Sequence, residues 1–192
     1  MAVVVATRMV MRKRRYVPRF MVGSFAIARQ ARRSPGFLRG SMRAEPIGGS
    51  YWTVTMWEDG RGMAAFRDSG VHERLAPMAA TWAGEAVFGM WRAEDGRLPR
   101  WREASARIAE HPNFAPLNDP AQAHVEGHFR PPRAIGFDVP IVASRRAQRR
   151  AVRRALSRSD ESSPAERGAQ RRQAGSTATA EQSPRPAPVP QP

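Results

Sequence analysis

His72 is the residue in this chain best suited to chemistry. It follows Ser69-Gly70, a pair that stops one helix and opens the next. Its ring is therefore expected in the first turn of the restarted helix, with Ser69 as the N-cap. There the helix dipole disfavours the imidazolium and favours the neutral ring. A neutral imidazole can take a proton from a phenol or an enol near pH 7. The structural alternative is that His72 bonds a nearby backbone group and pins the kink. Both readings stay open on the sequence.

The stretch before it, YWTVTMW, offers two faces. Tyr51, Thr53, Thr55 and Trp57 mix hydroxyls with rings, as the wall of a small-molecule cavity does; packing between two subunits favours the same types. Trp52, Val54 and Met56 are drier and are expected beneath the helices. Phe66, Trp91 and Arg92 complete the candidate substrate-binding set. Arg92 suits an ion pair with Glu58 or Asp59, or a substrate anion, and core packing is the alternative that better explains the tryptophans. No acid pair, Ser/His/Asp order or Gly-rich phosphate loop is present. Cysteine is absent, which excludes thiolate nucleophiles, disulfides and cysteine metal sites. His124 and His128 stand four apart among Gly and Pro with no third ligand nearby, so no metal site is expected.

The elements that must position these residues follow from periodicity. Residues 2–12 alternate as a strand, and residues 17–33 carry a helical stripe with Pro18 in its first turn. Strands are expected over 37–44 and 50–58, joined by a hairpin-length loop. Residues 60–83 read as two or three short helical pieces, with kinks at Ser69-Gly70 and at Pro77. A fourth strand over 85–92 and a short helix over 101–110 follow. The order β-α-β-β-α-β with right-handed crossovers predicts an α+β, ferredoxin-like sandwich with both helices on one face. The other face is too apolar for water, so a second copy packed sheet against sheet is expected to hide it.

Five short motifs sharpen this pattern: Tyr16-x-Pro18-x-Phe20, Gly36-Phe37, Tyr51-Trp52-Thr53 with Trp57-Glu58-Asp59, Ser69-Gly70-x-His72, and Leu98-Pro99-x-Trp101. Together they resemble the dimeric α/β-barrel superfamily over residues 2–110. The similarity is to its antibiotic-biosynthesis-type monooxygenases, in particular to a group of uncharacterised bacterial proteins, and more distantly to spheroidene monooxygenase. The resemblance implies a homodimer and an oxidoreductase acting on a small aromatic or polyene-type substrate. It also implies a pocket between the sheet and the second helix, with no cofactor required. Some superfamily members bind haem through a histidine on the second helix; here that position falls on Ala76, leaving His72 as the only alternative. The competing function is a non-catalytic dimeric ligand-binding or scaffold module.

Of the formal charge of +15 over 192 residues, nearly half lies in residues 126–192. The organisation expected is a domain over 1–117, a linker over 118–142, an Arg-rich helix over 143–158 and a disordered Pro/Arg-rich tail over 159–192. Arg145, Arg146, Arg149, Arg150, Arg153 and Arg154 recur in pairs every four residues and suit an anionic partner, RNA or lipid. An unselected Arg-rich extension explains them more simply. The N-terminal apolar run precedes its charges, the reverse of a secretory signal, and a cytoplasmic protein is expected.

Overall fold

The computed structural model describes residues 1–45, 47–93, 95–144 and 149. Strand β1 (Val3–Met11) lies between β3 (Ser50–Trp57) and β4 (Ala83–Arg92), and β2 (Phe37–Glu45) lies beyond β3. All three pairings are antiparallel, and Ala6 stands between Val54 and Gly89. The order β4-β1-β3-β2 is the ferredoxin-like α+β arrangement that the periodicity predicts. Helix α1 (Val17–Ala31) links β1 to β2, with Pro18 in its first turn. Helices α2 (Gly60–Arg67) and α3 (Gly70–Trp82) link β3 to β4.

The break between α2 and α3 falls where expected. Gly70 has φ +62°, a conformation that side chains with a Cβ rarely adopt. The kink expected at Pro77 does not divide the helix: α3 runs through it to Trp82. Glu73 and Pro77 are both exposed, so water can take the Glu73 carbonyl that Pro77 leaves unbonded.

The two faces of the sheet are covered differently from the expectation. Trp52, Val54 and Met56 share a face with Val4, Ala6 and Val87. That face does not lie under α1 to α3. It is covered by α4 (Trp101–Glu110) through Ala104 and Ile108, with Leu98, Trp101, Phe114 and Phe129 filling the margins. Gly89 makes the approach possible, because a Cβ there would stand 3.2 Å from Ile108. The apolar face that was expected to require a second copy is thus hidden by the chain itself.

The stretch expected as a linker, 118–142, also departs from the prediction. After the two-residue strand β5 (Asn113–Phe114) beside β4, it carries a short helix α5 (Gln122–Val125) and strand β6 (Phe137–Val142). Strand β6 pairs antiparallel with β2 and makes the sheet six-stranded. A buried polar cluster fixes this return. Glu45, 1% exposed, accepts from the Arg133 backbone N–H at 2.8 Å, from Arg43 and from the Ser50 hydroxyl. Arg43 also donates to Asp138 at 2.9 Å and to the carbonyls of Arg133 and Ala134. Pro140 sits on this outermost strand, where its missing N–H blunts further pairing.

Candidate functional site

The opposite face of the sheet carries Tyr51, Thr53, Thr55 and Trp57 on β3, with Val3, Val5, Thr7 and Met9 directly across on β1. Helix α1 crosses it: Phe20 meets Tyr51 at a ring separation of 4.9 Å, and Ala28 and Ala31 pack with Phe37 and Trp57 at the other end. Between these two contacts Val5, Thr7, Thr53 and Thr55 are only half-buried. On the β4 side Phe88 and Met90 remain 39% and 58% exposed on this same face. The sheet face is therefore left partly open over β1, a candidate cleft floored by hydroxyls and aliphatic groups and flanked by two apolar side chains.

At its α2–α3 end the wall is aromatic. Phe37, Trp57, Phe66 and His72 form a run of rings with successive separations of 5.1, 4.9 and 5.0 Å. Trp57 is fully buried and gives its indole N–H to the Thr55 hydroxyl at 3.1 Å, so it is a core residue that fixes Thr55. His72 Nδ1 lies 3.0 Å from the Arg67 carbonyl oxygen. A carbonyl only accepts, so Nδ1 carries the proton and Nε2 keeps its lone pair. Burial pushes the His72 pKa below its ordinary value, outweighing the bond to Arg67. Partial burial raises the phenol of Tyr51. One ring nitrogen of His72 thus pins the kink, and the other keeps its lone pair.

The joint itself is held by a residue that the sequence did not point to. Gln30 on α1 donates to the carbonyls of Phe66 (3.1 Å) and Ser69 (2.9 Å). Its carbonyl oxygen accepts from the backbone N–H groups of Val71 (2.8 Å) and His72 (3.0 Å). Those two donors open α3, so Gln30 caps the helix from outside. Ser69 occupies the N-cap position, but its hydroxyl turns back to the Ala65 carbonyl and caps nothing. Asp59 caps α2 as its type suggests, accepting from the Gly62 N–H at 2.9 Å.

Tyr51, Thr53, Thr55 and Trp57 thus share one face of the sheet, and Phe66 and His72 on the helices reach it through the ring contact of Phe66 with Trp57. Trp91 is not among them: it pairs with Val4 on the opposite face and packs against the α4 core. Arg92 shares the cleft face beside Val3 at the end of β4, but it is exposed, meets the sulfur of Met1 and pairs with neither Glu58 nor Asp59. Trp82 stacks on Tyr16 at 6.4 Å. Thr7, Phe88 and Met90 were missed because only strand register places Thr7 across from Thr53, Phe88 across from Thr7 and Met90 across from Val5.

Among the described residues no group of three metal-ligating side chains occurs. His124 spends both ring nitrogens on the fold, accepting from the Ala86 N–H and donating to the Ala115 carbonyl. Ala76, where the resemblance puts a haem-ligating histidine, is exposed on α3 and has no ligating atom. Arg149 is exposed; the other arginines proposed for an anionic partner, Arg145, Arg146, Arg150, Arg153 and Arg154, lie outside the described residues.

No family model matches the chain, and no curated protein does. Solved structures do resemble it. A putative antibiotic biosynthesis monooxygenase from Nitrosomonas europaea is 13% identical, with a TM-score of 0.45 over 50% of this chain and 92% of that one. SnoaB, a cofactor-independent oxygenase from Streptomyces nogalater, is 19% identical, with a TM-score of 0.43 over 52% of this chain and 98% of its own. Rv0793 from Mycobacterium tuberculosis is 12% identical, with a TM-score of 0.46 over 50% and 97%. The likeness is loose, and the fold assignment rests on the strand order.

Proposed function

We propose that the chain is a monooxygenase-type oxidoreductase that takes a small aromatic or polyene-type substrate into the cleft over β1, with His72 as the proton acceptor. The observation that carries this reading is the state of His72. Its Nδ1 proton is committed to the Arg67 carbonyl, and its depressed pKa keeps Nε2 free to accept a proton at neutral pH. Loss of a proton makes a phenol electron-rich enough to pass an electron to dioxygen without a resident cofactor. For a phenol with an open para position, one O2 is consumed and the products are a quinone and one water. Phe66 beside His72 offers a flat apolar surface for an aromatic ring. The hydroxyls of Thr7 and Thr53, opposite each other on the cleft floor, suit a substrate oxygen.

Oxygen uptake with a panel of phenols and quinols tests the reading. His72→Asn keeps a donor for the Arg67 carbonyl and removes the base. Wild type is expected to oxidise at least one panel member at a rate about 100-fold above the variant, the low end for general base catalysis. Equal rates for both proteins across the panel overturn it. Saturable binding of panel members without oxygen uptake would favour the non-catalytic ligand-binding module instead.

A further inference from the structure

The outer surface of the α1–α3 layer carries a second feature that the cleft does not use. Lys13, Arg14, Arg15 and Arg19 cluster where β1 turns into α1, and all four are exposed. No ion pair to any of them occurs among the described residues; Arg15 instead reaches the Tyr16 hydroxyl and lies over its ring. Next to them α1 exposes Val22 at 72% and Phe25 at 48%, one helical turn apart. Helices α1 and α3 run antiparallel: Tyr16 stacks on Trp82, and a Cβ at Gly23 would meet Leu75. That alignment places Met78, 44% exposed, beside the first turns of α1, in the exposed run Ala76-Pro77-Met78.

A surface with unpaired cations beside projecting apolar side chains selects among partners by charge and polarity. A second copy of the same face would bring like charges together. A nucleic acid would satisfy the cations and leave Val22, Phe25 and Met78 in water. An anionic bilayer satisfies both: its headgroups take the arginines, and the headgroup–acyl boundary takes the apolar side chains. No helix among the described residues is long and apolar enough to cross a membrane, so the contact would be peripheral. We infer that this face docks on an anionic lipid surface, with Lys13, Arg14 and Arg19 supplying attraction and Val22, Phe25 and Met78 inserting shallowly. The inference is independent of the chemistry assigned to the cleft.

The test is co-sedimentation of the full chain with phosphatidylcholine vesicles with and without phosphatidylglycerol. The Arg-rich C-terminal stretch is present in every protein compared, so only differences between variants are read. Each basic residue near an anionic surface is worth about fivefold in partitioning. K13E/R14E/R19E should therefore bind anionic vesicles roughly 100-fold more weakly than wild type. V22S/F25S should bind about tenfold more weakly, from the lost apolar contact. Both variants alter exposed positions, and unchanged thermal unfolding confirms their folds. Wild-type-like binding by the charge variant, or no binding by wild type, overturns the inference. Weakening by the charge variant with full binding by V22S/F25S also overturns it, and points to a polyanion such as RNA.

Discussion

Gln30 gives the sharpest contrast between what residue types suggest and what the fold uses. Gln30→Met keeps the side-chain volume and removes the amide. The change deletes four hydrogen bonds, two to the carbonyls of Phe66 and Ser69 and two from the N–H groups of Val71 and His72. Losing a helix cap costs about 1 kcal/mol. The two donated bonds add about 0.5 kcal/mol each, the low end for a net hydrogen bond, because Ser69 is exposed and water can substitute there. The expected loss is about 2 kcal/mol, or a fall in Tm of about 4–8 °C for a domain of this size. Chemical denaturation should show a lower midpoint with an unchanged slope. Hydrogen exchange should speed up first at the Val71 and His72 amides. Ser69→Ala is the control: its hydroxyl caps nothing, so it should cost under about 0.5 kcal/mol, within the range of surface substitutions. A large loss for Ser69→Ala with none for Gln30→Met would refute the assignment of the cap.

Other consequences concern the core, the buried charges and pH. Ile108→Ala should destabilise by about 3 kcal/mol in equilibrium unfolding, because Ile108 is fully buried between α4 and the sheet. Because α4 covers the same face, a dimer packed sheet against sheet would require α4 to be displaced, and light scattering is expected to show a monomer. Arg8 and Glu85 form an ion pair at 2.6 Å with side chains 5% and 20% exposed. Arg8→Met alone should cost about 3 kcal/mol, because it strands a carboxylate, whereas Arg8→Met with Glu85→Met should recover most of that in a double-mutant cycle. His72 has a folded pKa below that of the unfolded chain, so the unfolded chain binds its proton first. Its contribution to stability is present above about pH 6.5 and is lost as pH falls through the folded value. Wild type should therefore lose more stability than His72→Asn between pH 7 and pH 5.

Strands β1 to β4 and the first two helical regions are legible in the sequence because each carries a regular apolar stripe. Val4-x-Ala6-x-Arg8 on β1 and Trp52-x-Val54-x-Met56 on β3 alternate as half-buried strands do. Which face each stripe meets is not legible, since period 2 sorts residues into two sets without naming their covers. The assignment of Trp52, Val54 and Met56 to α4 depends on Ile108 descending onto Gly89, a contact nineteen positions apart. Strand β6 escapes because FDVPIV contains a proline and its pairing to β2 is fixed by Arg43 and Glu45, charged residues that the pattern places outside a core. The candidate site is legible in part. Tyr51, Thr53 and Thr55 share a face by their spacing on β3, and Phe66 and His72 approach Trp57 at its end because the α2–α3 joint is close to β3 in the chain. Trp91 was misplaced because its face is set by register with Val4, and Gln30 was missed because a glutamine on a helix gives no sign of a partner some forty residues away.

The tautomer and charge of His72 test the central claim most directly. Long-range proton–nitrogen correlation NMR at pH 7 reads both ring nitrogens without any substrate. The structure predicts a protonated Nδ1, a bare Nε2 and a titration midpoint below 6.5, the ordinary value. A ring protonated at Nε2, or an imidazolium persisting at pH 7, would contradict it.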